Sequence, residues 1–171
     1  MCEYNLLPQT FNVNPQIYRY FGHGGGEQYA RSHRIRSLPT CAAVMLWGCS
    51  SGALREMGDF DRTGTPYNYM LAGWYVHLTF RDVQLSNSYL HPYSPTLVAN
   101  LWDVTDKDID KLSQSVLDKL HLTATEINEL SEKCSRDPVS LVAAVAQSRN
   151  SCKLKYLTGA APIVYGIPFY L

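Results

Sequence analysis

Three features of the 171-residue sequence predict an α/β fold around a mostly parallel sheet. Three apolar runs of strand length, Ile17–Phe21, Cys41–Trp47 and Thr96–Val104, each end in a glycine-rich or helix-capping segment. Helical periodicity follows the third run, and a further apolar run closes the chain. Strands alternating with helices pack as a parallel sheet with right-handed crossovers.

The elements follow in order. Residues 1–15 are mixed and proline-bearing and read as a loop or as remnants of an upstream element. Ile17–Phe21 (IYRYF) is β-branched and aromatic, and stops at Gly22-His23-Gly24-Gly25-Gly26. Cys41–Trp47 (CAAVMLW) is apolar without a break, the pattern of a strand buried on both faces, and runs into Gly48-Cys49-Ser50-Ser51-Gly52. Thr96–Val104 (TLVANLWDV) leads into Thr105-Asp106-Lys107-Asp108, where a threonine cap and early acids open a helix. Ile109, Leu112, Val116, Leu117 and Leu120 line one face of it. A capping box, Thr123 with Glu126, predicts a short helix, and Asp137-Pro138 starts another over VSLVAAVAQS. Ala161–Leu171 reads as a last strand, ended by Pro168.

Composition narrows the function classes. The chain is 46% hydrophobic and 18% charged, with 15 basic and 15 acidic residues, a balance that gives no reason to expect a surface for nucleic acid or an anionic membrane. Five cysteines (Cys2, Cys41, Cys49, Cys134, Cys152) show neither zinc-knuckle nor redox-motif spacing. With no signal peptide or membrane-spanning run, free thiols in a reducing compartment are expected. No cofactor or metal is expected.

In a parallel sheet, reactive residues collect beyond the carboxyl ends of strands. Two runs here end that way, one delivering His23 and the other Cys49, 26 positions apart. An imidazole beside a cysteine promotes the thiolate and later protonates a leaving amine. The flanking glycines let backbone N–H groups approach a carbonyl, and the amides of Gly24 and Cys49 are candidate oxyanion donors. Plainer readings stand beside this one: GHGGG as a turn or phosphate cradle, and Cys49 as a packing residue. His33 sits among Arg31, Arg34 and Arg36 on what reads as a solvated basic face. His77, His91 and His121 do not fall in a metal-ligand spacing pattern in the sequence.

Tyr20–Tyr29 (YFGHGGGEQY), Trp47–Leu54 (WGCSSGAL), Val98–Asp110 (VANLWDVTDKDID) and Cys152–Pro168 (CKLKYLTGAAPIVYGIP) together resemble the separase family, of the fungal kind. The motifs are long and in order, and the resemblance runs from about Ile17 to the end with one interruption. It implies a caspase-like three-layer sandwich with a mostly parallel central sheet. It also implies a cysteine endopeptidase in which His23 and Cys49 form the dyad. By the same resemblance the enzyme cuts the kleisin subunit of cohesin after arginine and is held by a securin-type inhibitory partner; the reducing compartment expected from the free thiols is read as nucleus and cytoplasm. Cleavage after arginine calls for a pocket carboxylate. Asp106 is the first candidate and Asp103 the second; for Asp106 the alternative is plain helix capping. Asp108 and Asp110 read as exposed helix acids.

Two departures from the family accompany these motifs. The family has strands and a long helical region upstream, so the chain is expected to be a catalytic-domain fragment missing its first strands. Such a fragment could also be a remnant that only binds a securin-like chain; another caspase-fold protease with an unrelated substrate is a further alternative. After Leu71-Ala72-Gly73, residues 74–93 resemble nothing in the family. They read either as a surface insertion or as a retained intron, since Trp74-Tyr75-Val76 can encode a splice donor and Tyr93-Ser94 an acceptor.

Overall fold

The computed structural model describes residues 17–38, 43–72, 96–122 and 139–166. Several expectations lie outside these residues: the leading loop, the 74–93 insertion with His77 and His91, and the Thr123–Glu126 helix. Cys2, Cys41 and Cys134, the Asp137-Pro138 start and the end of the last strand lie outside them as well.

A four-stranded sheet forms the centre, in the order β1 (Tyr18–Tyr20), β2 (Val44–Leu46), β5 (Thr96–Asn100), β6 (Pro162–Gly166). The first three run parallel, with Tyr20 opposite Leu46 and Val44 opposite Leu97, and β6 is antiparallel to β5. Every residue of β2 and β5 is buried, as the unbroken hydrophobicity of β2 predicts, and in β5 this includes the polar Thr96 and Asn100.

Side chains alternate across the sheet and divide the core in two. Met45, Trp47 and Val98 pack on one face against Ile109, Leu112, Val116 and Leu117 of α3 (Asp106–Lys119) and Leu141, Ala144 and Val145 of α4 (Leu141–Ser148). Val44, Leu46, Leu97 and Ala99 pack on the other against Ile35 of α1 (Ser32–Arg36) and Tyr69 of α2 (Thr65–Met70). Helices on both faces of a mostly parallel sheet make the three-layer α/β sandwich that the family resemblance implies.

The structure also adds elements. A β-hairpin, β3 (Arg55–Met57) with β4 (Phe60–Thr63), follows the Cys49 loop and leads into α2. Thr105 occupies the N-cap position of α3 but its side chain makes no capping hydrogen bond; its hydroxyl lies 3.2 Å from that of Thr158.

Asp108 is the clearest correction. It is 5% exposed, not a solvated helix acid, and its carboxylate accepts the Leu154 N–H at 2.8 Å. That hydrogen bond holds the carboxyl below its ordinary range. Cys152 donates its Sγ–H to the Asp108 carbonyl at 3.6 Å, and burial raises its thiol above the ordinary value. The segment after the 3-10 turn Arg149–Ser151 is thereby fastened to the start of α3.

Candidate active site

His23 and Cys49 stand on loops leaving neighbouring parallel strands in the same direction. The strands stay paired to their ends, where the Trp47 N–H donates to the Tyr20 carbonyl at 3.0 Å. Beyond them the two loops touch. A Cβ on Gly48 would collide with the carbonyl oxygens of Gly22 and Gly24, the residues either side of His23. Only glycine allows this approach, so the residue before Cys49 is seated against the residues flanking His23. His23 is exposed and Cys49 half-buried.

The histidine loop is folded over Tyr20. The Tyr20 hydroxyl donates to the His23 carbonyl at 3.0 Å and accepts from Gln28 Nε2 at 2.9 Å. Burial raises the phenol above its ordinary value, so it remains a donor through the neutral range. Gly24 has a φ of 59°, a left-handed turn that suits glycine. The Glu27 carboxylate accepts from the Gly25 N–H at 3.0 Å and from the Thr65 hydroxyl, tying the loop to the start of α2.

The cysteine loop is held from β5. Asn100, fully buried, donates through Nδ2 to the carbonyls of Trp47 and Gly48, at 3.0 and 3.1 Å. Its own N–H donates to Ser51 Oγ at 3.1 Å, and that hydroxyl donates to the Leu46 carbonyl at 3.0 Å. The Gly52 N–H donates to the Asn100 carbonyl at 2.7 Å. The Cys49 sulfur lies 3.4 Å from both the nitrogen and the carbonyl oxygen of Val104, positioned to accept from the first and to donate to the second.

The two aspartates differ. Asp103 is exposed and accepts from Ser50 Oγ at 2.7 Å. Asp106 is exposed at the first residue of α3, on the same side of the sheet as the Cys49 loop. Tyr20, Glu27, Ser51, Thr65 and Asn100 escape a reading of the sequence alone. The one local signal is Asn100, a polar residue inside an apolar run, which must find partners when buried.

Surface concavities along α1 (Ser32, His33, Arg36, Ser37) and beside the β3–β4 hairpin (Arg36, Phe60, Arg62, Tyr67) are lined by neither His23 nor Cys49. Arg36 donates to Asn68 Oδ1 at 2.6 Å, so part of the basic face of α1 is engaged within the protein. Among the described residues no cluster of three or more metal-ligating side chains occurs, and no helix is long and apolar enough to cross a membrane.

Comparison with known proteins gives the family and the fold. The family model of the separin protease domain matches residues 12–109, more than half of the chain. The chain belongs to the separin family. It is 44% identical over 155 residues to a separin of Schizosaccharomyces pombe and 43% identical over 152 residues to one of Emericella nidulans. The aligned stretches take in 91% and 89% of this chain but 7% and 6% of those proteins, so it spans a small part of their length. Among solved structures it resembles the Saccharomyces cerevisiae separase–securin complex at 2.6 Å resolution, with a TM-score of 0.69 at 38% identity. That match covers 90% of this chain and 8% of the neighbour. At this identity the separin fold and its caspase-like sandwich carry over to the described residues.

Proposed function

We propose that this chain carries the chemistry of a cysteine endopeptidase that cleaves after arginine, with Cys49 as nucleophile and His23 as general acid–base. The observation that carries the proposal is the seating of Gly48 against Gly22 and Gly24, which makes the two loops neighbours at one sheet edge. His23 takes the Cys49 proton, and the Sγ thiolate attacks the scissile carbonyl carbon. The resulting oxyanion is met by the backbone N–H groups of Gly24 and Cys49. Collapse breaks the C–N bond, His23 delivers the proton to the leaving amine, and water hydrolyses the thioester to free Cys49.

Asp106 is the acid proposed to face the arginine guanidinium, as a bidentate partner. It is exposed and lies in the loop-proximal turn of α3, reachable by a substrate side chain. Membership of the separin family supports the kleisin subunit of cohesin as the substrate, with work in nucleus and cytoplasm. The separase–securin neighbours support a securin-type inhibitory partner.

An arginine-ended acyloxymethyl ketone tests the core of this reading. The chain, or the chain extended to full domain length, is expected to be labelled at Cys49, and Cys49→Ser to lose the label. Labelling that survives Cys49→Ser, or a full-length domain that takes no label, would sink it. Asp106→Asn is expected to raise KM for arginine peptides at least about tenfold, the loss of a charge-assisted pair; unchanged kinetics would clear Asp106.

A further inference from the structure

The loop after β5 grips the cysteine loop at consecutive residues. The Ser50 N–H donates to the Trp102 carbonyl at 3.1 Å, Ser50 Oγ donates to Asp103 Oδ1 at 2.7 Å, and the Val104 peptide brackets the Cys49 sulfur at 3.4 Å. Within this grip Ser50 has a φ of 52°. A left-handed serine is uncommon and persists where its surroundings hold it. It directly follows Cys49, and the same post-β5 segment that holds Ser50 also holds the Cys49 sulfur, through the Val104 peptide.

We infer that Asp103 is a positioning residue: its carboxylate anchors the Ser50 hydroxyl, holds Ser50 in its left-handed turn, and so fixes Cys49 for attack. The inference rests on the reading of Cys49 as nucleophile. It assigns Asp103 a task other than meeting the substrate arginine. Three observations support it over a pocket role. The carboxylate already accepts a short hydrogen bond, its neighbours Trp102 and Val104 engage the same loop, and the turn it anchors is the strained one. The task needs an acceptor oxygen and not a negative charge, so asparagine can perform it and alanine cannot. An arginine-binding acid has the opposite requirement.

The test is the rate at which iodoacetamide alkylates Cys49 in the whole chain, resolved by peptide mass spectrometry. The reagent is small and uncharged, so the readout is independent of arginine binding and of any protease activity. Asp103→Ala and Ser50→Ala are each expected to slow it about tenfold, the scale of one hydrogen bond to a charged group. The double variant is expected to be no slower than either single one, because the two residues act as a unit. Asp103→Asn is expected to recover most of the rate lost in Asp103→Ala. Cys152, buried between α3 and α4, is the internal control: its slow alkylation reports that a variant is folded. Asp103→Ala within twofold of wild type, additive losses in the double variant, or failure of asparagine to recover the rate would each overturn the inference. So would an Asp103→Asn variant with normal alkylation but a large rise in KM for arginine peptides. Loss of the protease reading itself would show instead as arginine-peptide cleavage that survives Cys49→Ser.

Discussion

Asn100 on β5 donates both side-chain amide protons to carbonyls at the exit of β2, Trp47 at 3.0 Å and Gly48 at 3.1 Å. A strand that carries no proposed catalytic residue of its own thus sets the trajectory of the strand that does. Replacing Asn100 with leucine strands two buried carbonyls and is expected to destabilise the protein by about 3 kcal/mol. Asn100→Asp, which also buries a charge, should be worse. Urea denaturation checks both; a loss below about 1 kcal/mol would mean the carbonyls find other donors.

Gly48→Ala drives a methyl group into the carbonyls of Gly22 and Gly24. The loops must part, at about 2 kcal/mol or more of stability, as for other overpacked sites. Labelling of Cys49 by the arginine ketone should fall about a hundredfold, since a shift near 1 Å suffices for that. Comparison of labelling with the melting temperature separates the two effects.

Glu27 joins the histidine loop to α2 through Gly25 and Thr65. Glu27→Ala is expected to cost about 1 kcal/mol and to expose the Gly25 amide to exchange. Glu27→Gln keeps an acceptor and should protect that amide better than alanine does. Hydrogen exchange at Gly25 reads the difference directly.

Asp108 makes stability depend on pH. Its folded carboxyl lies below the ordinary value of 3.8 because the ionised form accepts the Leu154 N–H. The unfolded state therefore binds the proton more readily, so this contribution is fully present above 3.8 and is lost as pH falls through the folded value. Wild type should melt higher than Asp108→Asn at neutral pH, and the gap should close below about pH 3.8. A gap constant with pH would show that the charge is not what matters.

Much of the frame was legible because burial writes a continuous apolar run. Val44–Leu46 and Thr96–Asn100 could be read as central strands, and α3 from its stripe of Ile109, Leu112, Val116 and Leu117. The β3–β4 hairpin was not legible. Arg55–Met57 is exposed throughout and Phe60–Thr63 nearly so, which leaves no apolar–polar alternation to see. Asp108 misled because it sits between two other acids of a polar stretch, and its partner Leu154 lies 46 residues on. In the candidate site the glycine-flanked His23 and Cys49 stood out at strand exits. Ser51, Thr65 and Asn100 did not, since each takes its role from partners brought near only by folding.

The reversed direction of β6 sets what lies around the candidate site. Three strands exit the sheet at the edge where His23 and Cys49 stand, and β6, running the other way, enters at that same edge, with Pro162 opposite Asn100. Leu157 receives the Trp102 indole N–H at 2.9 Å, and Thr158 meets Thr105. Insertions or deletions just before β6 will therefore register at a cysteine more than a hundred positions earlier, making this approach segment a natural place for sequence drift to retune the site without touching His23 or Cys49.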